Sequence, residues 1–144
     1  MSNPNIDLCL TFHRAYANLR LQLDEELGLH HGIDFDDFAL LHSLASADGP
    51  TSLASLAAQL SVSRSVVLRR LRPLEKIGFV VYHSGVTDRR IALRTAGLSL
   101  IKAARETIGG VCRNRSLIEN VERLNEVLLR PEVVRCSKPG MGAQ

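Results

Sequence analysis

Arginine side chains are concentrated in the middle of this 144-residue sequence. Four arginines lie within residues 64–72, and a further pair, preceded by Asp88, occupies residues 89–90. A guanidinium donates paired hydrogen bonds to phosphate or to the edge of a guanine base, and it stays charged at any ordinary pH. The spacing therefore predicts a surface that binds a polyanion.

The distribution of charge supports this prediction. The overall net charge is +3, but residues 1–50 sum to −6, residues 51–94 to +6 and the last 50 residues to +3. A solvated basic helix face is the simpler alternative, and it would normally interleave acidic residues at helical spacing. Only Glu75 and Asp88 interrupt the central segment. We therefore favour a nucleic acid as the partner of this segment.

Apolar periodicity and capping signals predict the elements that must position these arginines. We expect Gly28 to end the first helix, Asp34 to cap the second, Thr95 to cap the fifth and Pro73 to kink the fourth. Gly109-Gly110 should weaken the end of the fifth helix. The second strand should be abbreviated. The predicted helices span 6–27, 53–60, 64–77, 96–112 and 116–129, with strands at 79–83 and 91–93. The second helix is expected between its cap, Asp34, and a stop at residues 48–50.

Residues 53–77 have the pattern of a helix-turn-helix. Ala57 is small where a second helix must cross closely, Val62 is expected to fill the angle between the helices, and Val67 and Leu71 should seat the second helix on the core. An ordinary helical hairpin with a basic surface is the alternative. The predicted DNA-binding residues are Ser63, Arg64, Ser65, Arg69 and Arg70 on the second helix and Arg89 and Arg90 on the following hairpin, with Asp88 orienting an arginine.

These features together resemble the MarR family of winged helix-turn-helix bacterial transcriptional regulators. The resemblance covers about residues 5–130 and is specific only over 53–97. The matching segments are 53–57, 62–65, Arg69, 74–80, 88–90 and the Thr95-Ala96-Gly97 triplet. Ser61 and Leu68 depart from it, because Gly and Thr are common at these two positions in the family.

The resemblance implies a mainly α fold (α+β) with a small β-hairpin wing and with dimerisation helices at both ends. It further implies a homodimer, a pseudo-palindromic operator in double-stranded DNA, and a repressor released by a small ligand such as an aromatic carboxylate or phenol. We expect a single domain over 1–144, with the winged helix at 34–94, dimerisation helices at 5–28 and 95–130, and a disordered tail at 131–144.

Two kinds of effector site are suggested by the same resemblance. An arginine and histidines beside aromatic residues would suit an anionic aromatic ligand, although a place in the core is the simpler interpretation of Phe12 and Phe38. The candidate ligand-binding residues are Phe12, His13, Tyr16, Arg20, Phe38 and His42. Alternatively, Cys9 with Cys112 resembles the thiol pair of organic-hydroperoxide sensors, but His13 replaces the expected tyrosine. A buried free cysteine that acts as a small hydrophobe is the simpler interpretation.

Other functional classes lack supporting motifs. No apolar run reaches 18 residues, the N-terminus does not resemble a signal peptide, and three scattered cysteines suit neither a disulfide framework nor a metal site. No phosphate-binding glycine loop or nucleophile elbow is present. We expect a cytoplasmic protein that is not an enzyme and needs no cofactor, metal or membrane. A protein-interaction module is the remaining alternative, although such winged helices tend to lose the arginines retained here.

Overall fold

The computed structural model of the protein describes residues 3–84 and 89–113, and also residues 119, 122, 123 and 126. Five helices and three strands are assigned within the described residues. In chain order they are α1 (Pro4–His31), α2 (Phe35–Ser46), β1 (Thr51–Ser52), α3 (Leu53–Leu60), α4 (Arg64–Ile77), β2 (Val80–Ser84), β3 (Arg89–Leu93) and α5 (Thr95–Cys112).

Helix α1 is longer than predicted and passes through Gly28, so the prediction that Gly28 ends it is wrong. The chain leaves the helix instead at Gly32, where φ is +68°, a left-handed conformation that suits a residue without a Cβ atom. Gly28 lowers the helix propensity of the segment, but its backbone does not adopt the left-handed conformation found at Gly32. Leu23 and Leu27 in the second half of α1 are buried.

Helix α2 begins where the sequence predicts, at the cap residue Asp34. The Asp34 side chain accepts a hydrogen bond from the Asp37 backbone N–H at 2.8 Å, and the Asp37 carboxylate accepts one from the Asp34 N–H at 3.5 Å. Asp24 on α1 accepts a further hydrogen bond from the Phe35 N–H at 2.8 Å. These contacts satisfy backbone donors at the helix start and fasten the start of α2 to α1.

The three strands form an antiparallel sheet in the order β1-β3-β2. Val80 pairs with Leu93 and Ser84 with Arg89, so β3 matches β2 residue for residue and the predicted shortening of the second strand is wrong. The two-residue strand β1, in which Ser52 pairs with Arg90, was not predicted because two residues give no readable alternation.

Helix α5 packs closely on the chain before β2. A Cβ atom at Gly97 would lie 2.3 Å from the Phe79 carbonyl oxygen, which explains the glycine in the Thr95-Ala96-Gly97 triplet. Thr95 is the first residue of the helix rather than its cap. The helix continues through Gly109 and Gly110 and ends at Cys112, as predicted.

One hydrophobic core joins α2, α3, α4, α5, the sheet and the second half of α1. Its fully buried larger side chains are Leu27, Leu40, Leu41, Leu56, Val67, Leu71, Val80 and Ile91. Contacts between backbone positions divide the chain into two compact units. One unit comprises Arg20–Val111, and the other comprises Met1–Leu19 together with Cys112–Gln144. The predicted helix over 116–129 and the tail over 131–144 fall largely or wholly outside the described residues. No helix in the described ranges is long and apolar enough to cross a membrane.

Candidate nucleic-acid interface

The turn between α3 and α4 has helix-turn-helix geometry. Ser61 adopts a left-handed conformation with φ of 54°, and its N–H bonds back to the end of α3. This conformation explains why glycine would also fit at Ser61. Ala57 is buried as predicted, but Val62 is 40% exposed, so its predicted role as a plug between the helices is wrong.

The start of α4 presents two hydroxyl groups. Ser63 caps the helix, and its Oγ accepts a hydrogen bond from the Val66 N–H at 3.3 Å. The Ser65 Oγ lies 3.2 Å from the Ser63 Oγ, and both serines and the adjacent Arg64 are exposed. A helix start with free N–H groups, hydroxyls and an arginine is suited to an anionic group.

The two faces of α4 differ completely in character. Val67, Leu71 and Leu74 are buried against the core. A residue two positions earlier lies about 200° around an α-helix, on the opposite face. Ser65, Arg69 and Arg72 stand two positions before the three buried residues, and Lys76 follows one turn after Arg72. All four side chains are exposed. We call these four residues the outward stripe.

Arg72 and Lys76 of the outward stripe were absent from the predicted DNA-binding residues. Helical spacing alone could have found them, because they continue the 4-3-4 interval that starts at Ser65. Pro73, which was expected to kink the helix, lies inside α4, and the helix continues past it to Ile77.

Arg70 occupies the flank of α4, one residue before buried Leu71, and its guanidinium is held by carboxylates of α2 and its cap. Its Nη1 donates to both Asp34 oxygens at 2.9 and 2.8 Å and lies 3.1 Å from Asp37 Oδ1, while its Nη2 donates to Asp36 Oδ2 at 2.7 Å. The side chain is only 29% exposed. In the structure Arg70, which was predicted to contact DNA, is therefore engaged in intramolecular ion pairs.

The carboxylates around Arg70 have pKa values displaced in opposite directions. Burial raises the pKa of Asp34, but hydrogen bonds from Arg70 and from the Asp37 N–H outweigh it, and the pKa lies below its ordinary value. Burial and the nearby Asp34 charge raise the pKa of Asp37 above its ordinary value despite its contact with Arg70. The group is thus an ion-pair cluster with internal repulsion.

The two arginines of the hairpin begin strand β3 and are both exposed. Arg89 lines an open groove of about 350 Å³ together with Leu68, Arg72 and Tyr82, beside α4. The Arg90 Nη1 lies 3.4 Å from the Pro50 carbonyl oxygen, at the side of β1. Asp88, predicted to orient an arginine, lies outside the described residues.

The predicted ligand-binding residues fall in both compact units. Phe12, His13 and Tyr16 are exposed on the first half of α1. In the unit Arg20–Val111, the rings of Phe38 and His42 stack with centroids 5.6 Å apart. The His42 Nδ1 accepts hydrogen bonds from the Arg105 side chain at 3.1 and 3.3 Å. Arg105 was not among the predicted ligand-binding residues.

The remaining predicted groups occupy other positions. Arg20 contacts Asp24, at 3.5 Å, and Asp36. Cys9 and Cys112 are free and exposed, so the alternative of buried hydrophobic cysteines does not hold for this chain. Within the described parts of the chain, no group of three His, Cys, Asp or Glu side chains could hold a metal ion.

Comparisons with known proteins agree with this geometry. The sequence model of the IclR helix-turn-helix domain matches residues 38–84. AbsC, a MarR family transcriptional regulator from Streptomyces coelicolor, superposes with a TM-score of 0.74 at 19% identity, covering 90% of this chain and 92% of AbsC. Wild-type apo MarR from E. coli gives a TM-score of 0.68 at 20% identity, with 90% and 100% covered.

A third solved structure is the M. tuberculosis transcriptional regulator MOSR in complex with DNA. It superposes with a TM-score of 0.64 at 26% identity, covering 83% of this chain and 97% of MOSR. No curated protein sequence matches the chain. Helices α3 and α4 with the hairpin β2–β3 thus define a winged helix-turn-helix protein.

The overall fold is that of the MarR family of transcriptional regulators, which confirms the resemblance found in the sequence. The IclR domain match covers the helix-turn-helix and β2 but not α1, β3 or α5, so it describes the central motif alone. The likeness to MarR family structures extends over most of the chain.

Proposed function

We propose that this protein is a sequence-specific DNA-binding transcriptional regulator whose helix α4 enters the major groove. The outward stripe carries this proposal: three cations and a hydroxyl lie along one exposed face of α4, opposite the face that is fixed in the core. A DNA-reading helix needs such a division, because its cationic face must contact the duplex while the other face holds its position. The structural similarity to MOSR, which was solved in complex with DNA, supports DNA as the partner.

Different residues would serve different purposes in such a complex. The exposed Arg64 and Arg69 would contact base edges, where the paired donors of arginine favour guanine. Ser63 and Ser65 at the helix start would hold a phosphate. Arg72, Lys76, Arg89 and Arg90 would add phosphate or minor-groove contacts.

We further propose a homodimer that reads a pseudo-palindromic operator. The first half of α1 exposes large apolar side chains in the single chain, including Ile6 at 56% and Phe12 at 38%. Exposed large apolar side chains on one helix favour burial against a partner surface. Two-fold symmetry would place half-sites about one helical turn of DNA apart. In this proposal the regions 5–28 and 95–130 provide dimerisation, as the sequence led us to expect.

A salt series tests the proposal. Affinity for a mixed-sequence duplex should fall steeply with salt, by a slope of about −0.9 in log K against log[salt] for each phosphate contacted. Arg72→Gln provides a matched variant, whose slope should be shallower by about one contact. A flat salt response would instead favour the protein-interaction module and would contradict the proposal.

An anionic aromatic effector is the release signal that we propose. The exposed His42 ring, which stacks on the buried Phe38 ring and accepts a hydrogen bond from Arg105, offers an aromatic surface beside a cation in one unit of the chain. Benzoate should weaken DNA binding, and Arg105→Gln should reduce this response without reducing DNA binding in the absence of benzoate. An equal response in both proteins would remove these residues from the effector site.

Oxidant sensing is the second candidate, and the exposure of both Cys9 and Cys112 favours it. If Cys9 is the sensor, Cys9→Ser should bind DNA normally but no longer be released by an organic hydroperoxide. Release that persists in Cys9→Ser would exclude this mechanism.

A further inference from the structure

We propose that Arg70 and Asp36 are positioning residues that set the orientation of α4 relative to α1 and α2. Together with Arg20, Asp34 and Asp37 they form a cluster that we call the clamp. The inference rests on the proposed function, because the orientation of α4 matters only if its outward stripe reads DNA. The clamp would thus contribute to sequence specificity without contacting DNA.

The geometry at Arg70 restricts the orientation of its side chain. Its two terminal nitrogens contact three different carboxylates at distances from 2.7 to 3.1 Å. A planar guanidinium held at several points has little freedom to rotate. Because Asp34 and Asp37 also form the capping box of α2, the atoms that hold Arg70 are themselves fixed. The flank of α4 is therefore fastened to a rigid point on α2.

Two arginines from different helices share a single carboxylate oxygen of Asp36. The Oδ2 of Asp36 accepts from Arg70 on α4 and also from Arg20 on α1. Arg20 lies 3.5 Å from Asp24, which in turn accepts the hydrogen bond from the first N–H of α2. Three helices thus meet at Asp36, so that a displacement of α1 would change the hold on α4.

The clamp and a direct DNA contact by Arg70 predict opposite changes in DNA affinity when Asp36 is removed. Carboxylates near a duplex repel its phosphates, so removal of Asp36 should strengthen binding if Arg70 contacts DNA directly. If Asp36 instead orients α4 through Arg70, its removal should weaken binding to the operator despite the reduced repulsion. Lysine gives a second distinction, because it keeps the charge of Arg70 but cannot span three carboxylates.

The experiment compares Asp36→Asn, Arg70→Lys and Arg70→Gln with the wild type. Asp48→Asn is the matched control, since it removes an equal charge from an exposed residue outside the clamp. The readout is the ratio of affinity for the selected operator to affinity for mixed-sequence duplex at one salt concentration. A second readout is the rate of amide hydrogen exchange in α4 without DNA. It is measured at a temperature at which thermal unfolding shows that every variant is folded.

We expect Asp36→Asn to lower the affinity ratio by about three- to thirtyfold. Arg70→Lys should behave like Arg70→Gln, Asp48→Asn should not lower the ratio, and α4 amides should exchange faster in all three clamp variants. Operator binding by Asp36→Asn that equals or exceeds wild type, or wild-type behaviour of Arg70→Lys, would overturn the clamp. If the wild type selects no operator, the proposed function fails. Unchanged amide hydrogen exchange of α4 in the clamp variants would overturn the clamp, whether or not the proposed function holds.

Discussion

Two neighbouring arginines on α4 have opposite surroundings. Arg69 lies on the outward stripe and is exposed, whereas Arg70 lies on the flank and contacts three carboxylates within 3.1 Å. One residue step rotates a side chain by about 100° around a helix, which is enough to move it from solvent to a neighbouring helix. The outward stripe and the clamp therefore divide one basic segment into a surface for DNA and a device that holds this surface.

This difference shows what the charge of a segment can and cannot establish. Residues 51–94 carry a net charge of +6. Within the clamp, the positive charge of Arg70 is paired with carboxylates and so does not contribute fully to the basic surface. The acidic excess of residues 1–50 includes the partners of Arg70, so the two charged regions of the sequence are partly complementary within the fold. Four predictions, from the largest expected effect to the smallest, test this division.

Removal of the buried face should affect stability rather than recognition. Leu71 is fully buried, so Leu71→Ala should lower the free energy of unfolding by about 2–5 kcal/mol. Arg69→Ala on the outward stripe should change it by less than about 0.5 kcal/mol. Urea denaturation of both variants measures the contrast, and comparable losses would mean that the two faces are not distinct.

Removal of a base-reading arginine should affect recognition rather than stability. Arg69→Ala should cost about 1–3 kcal/mol in binding to the operator, since a paired contact to one base is lost. Binding to mixed-sequence duplex should change much less. Fluorescence anisotropy with both duplexes gives the two affinities, and an equal loss on both would assign Arg69 to the phosphates instead.

Lys76 at the end of the outward stripe should act through charge alone. Lys76→Gln should weaken binding to all sequences equally and reduce the salt slope by about 0.9. The slope is measured from affinities at several salt concentrations. A changed preference among operator sequences, with an unchanged slope, would contradict a phosphate contact.

The clamp should show opposing pH dependence at Asp34 and Asp37. The pKa of Asp34 is lowered in the folded protein, so its ionised form stabilises the fold above the unfolded pKa of about 3.9 and this stability is lost as pH falls. The pKa of Asp37 is raised, so its contribution is fully present below the unfolded pKa and is lost as pH rises through the folded value.

Two variants separate these contributions. The destabilisation caused by Asp34→Asn should grow between pH 3 and pH 7, whereas that caused by Asp37→Asn should shrink. Each change should be below about 1 kcal/mol, because the carboxylates are partly exposed. Thermal unfolding across this pH range checks the signs, and the same sign for both variants would contradict the assigned environments.

Local signals in the sequence predicted much of the winged helix. Helices α3 and α4 have the predicted bounds, Gly78 ends α4 in a left-handed conformation, and Asp34 caps α2. Each of these depends on residues within one turn of the chain. The errors at Gly28 and Val62 arose where the sequence gives residue type but not backbone angle or exposure.

The clamp could not be predicted because its members are far apart in the chain. Arg70 lies 36 residues from Asp34 and was indistinguishable by type from its neighbour Arg69. Only the folding of the shared core brings Arg70 on α4 to the carboxylates at the start of α2. Conversely, Arg72 and Lys76 could have been found by spacing from Ser65, because the outward stripe is a property of one helix.

The most direct test of the central claim is selection from random duplexes, carried out in parallel with the wild type and with Arg69→Ala. We predict that the wild type enriches a pseudo-palindromic motif. Arg69→Ala should enrich the same motif with reduced preference at one base pair in each half-site. Enrichment of no motif by the wild type, or of an identical motif by both proteins, would contradict the claim that the outward stripe of α4 reads the DNA sequence.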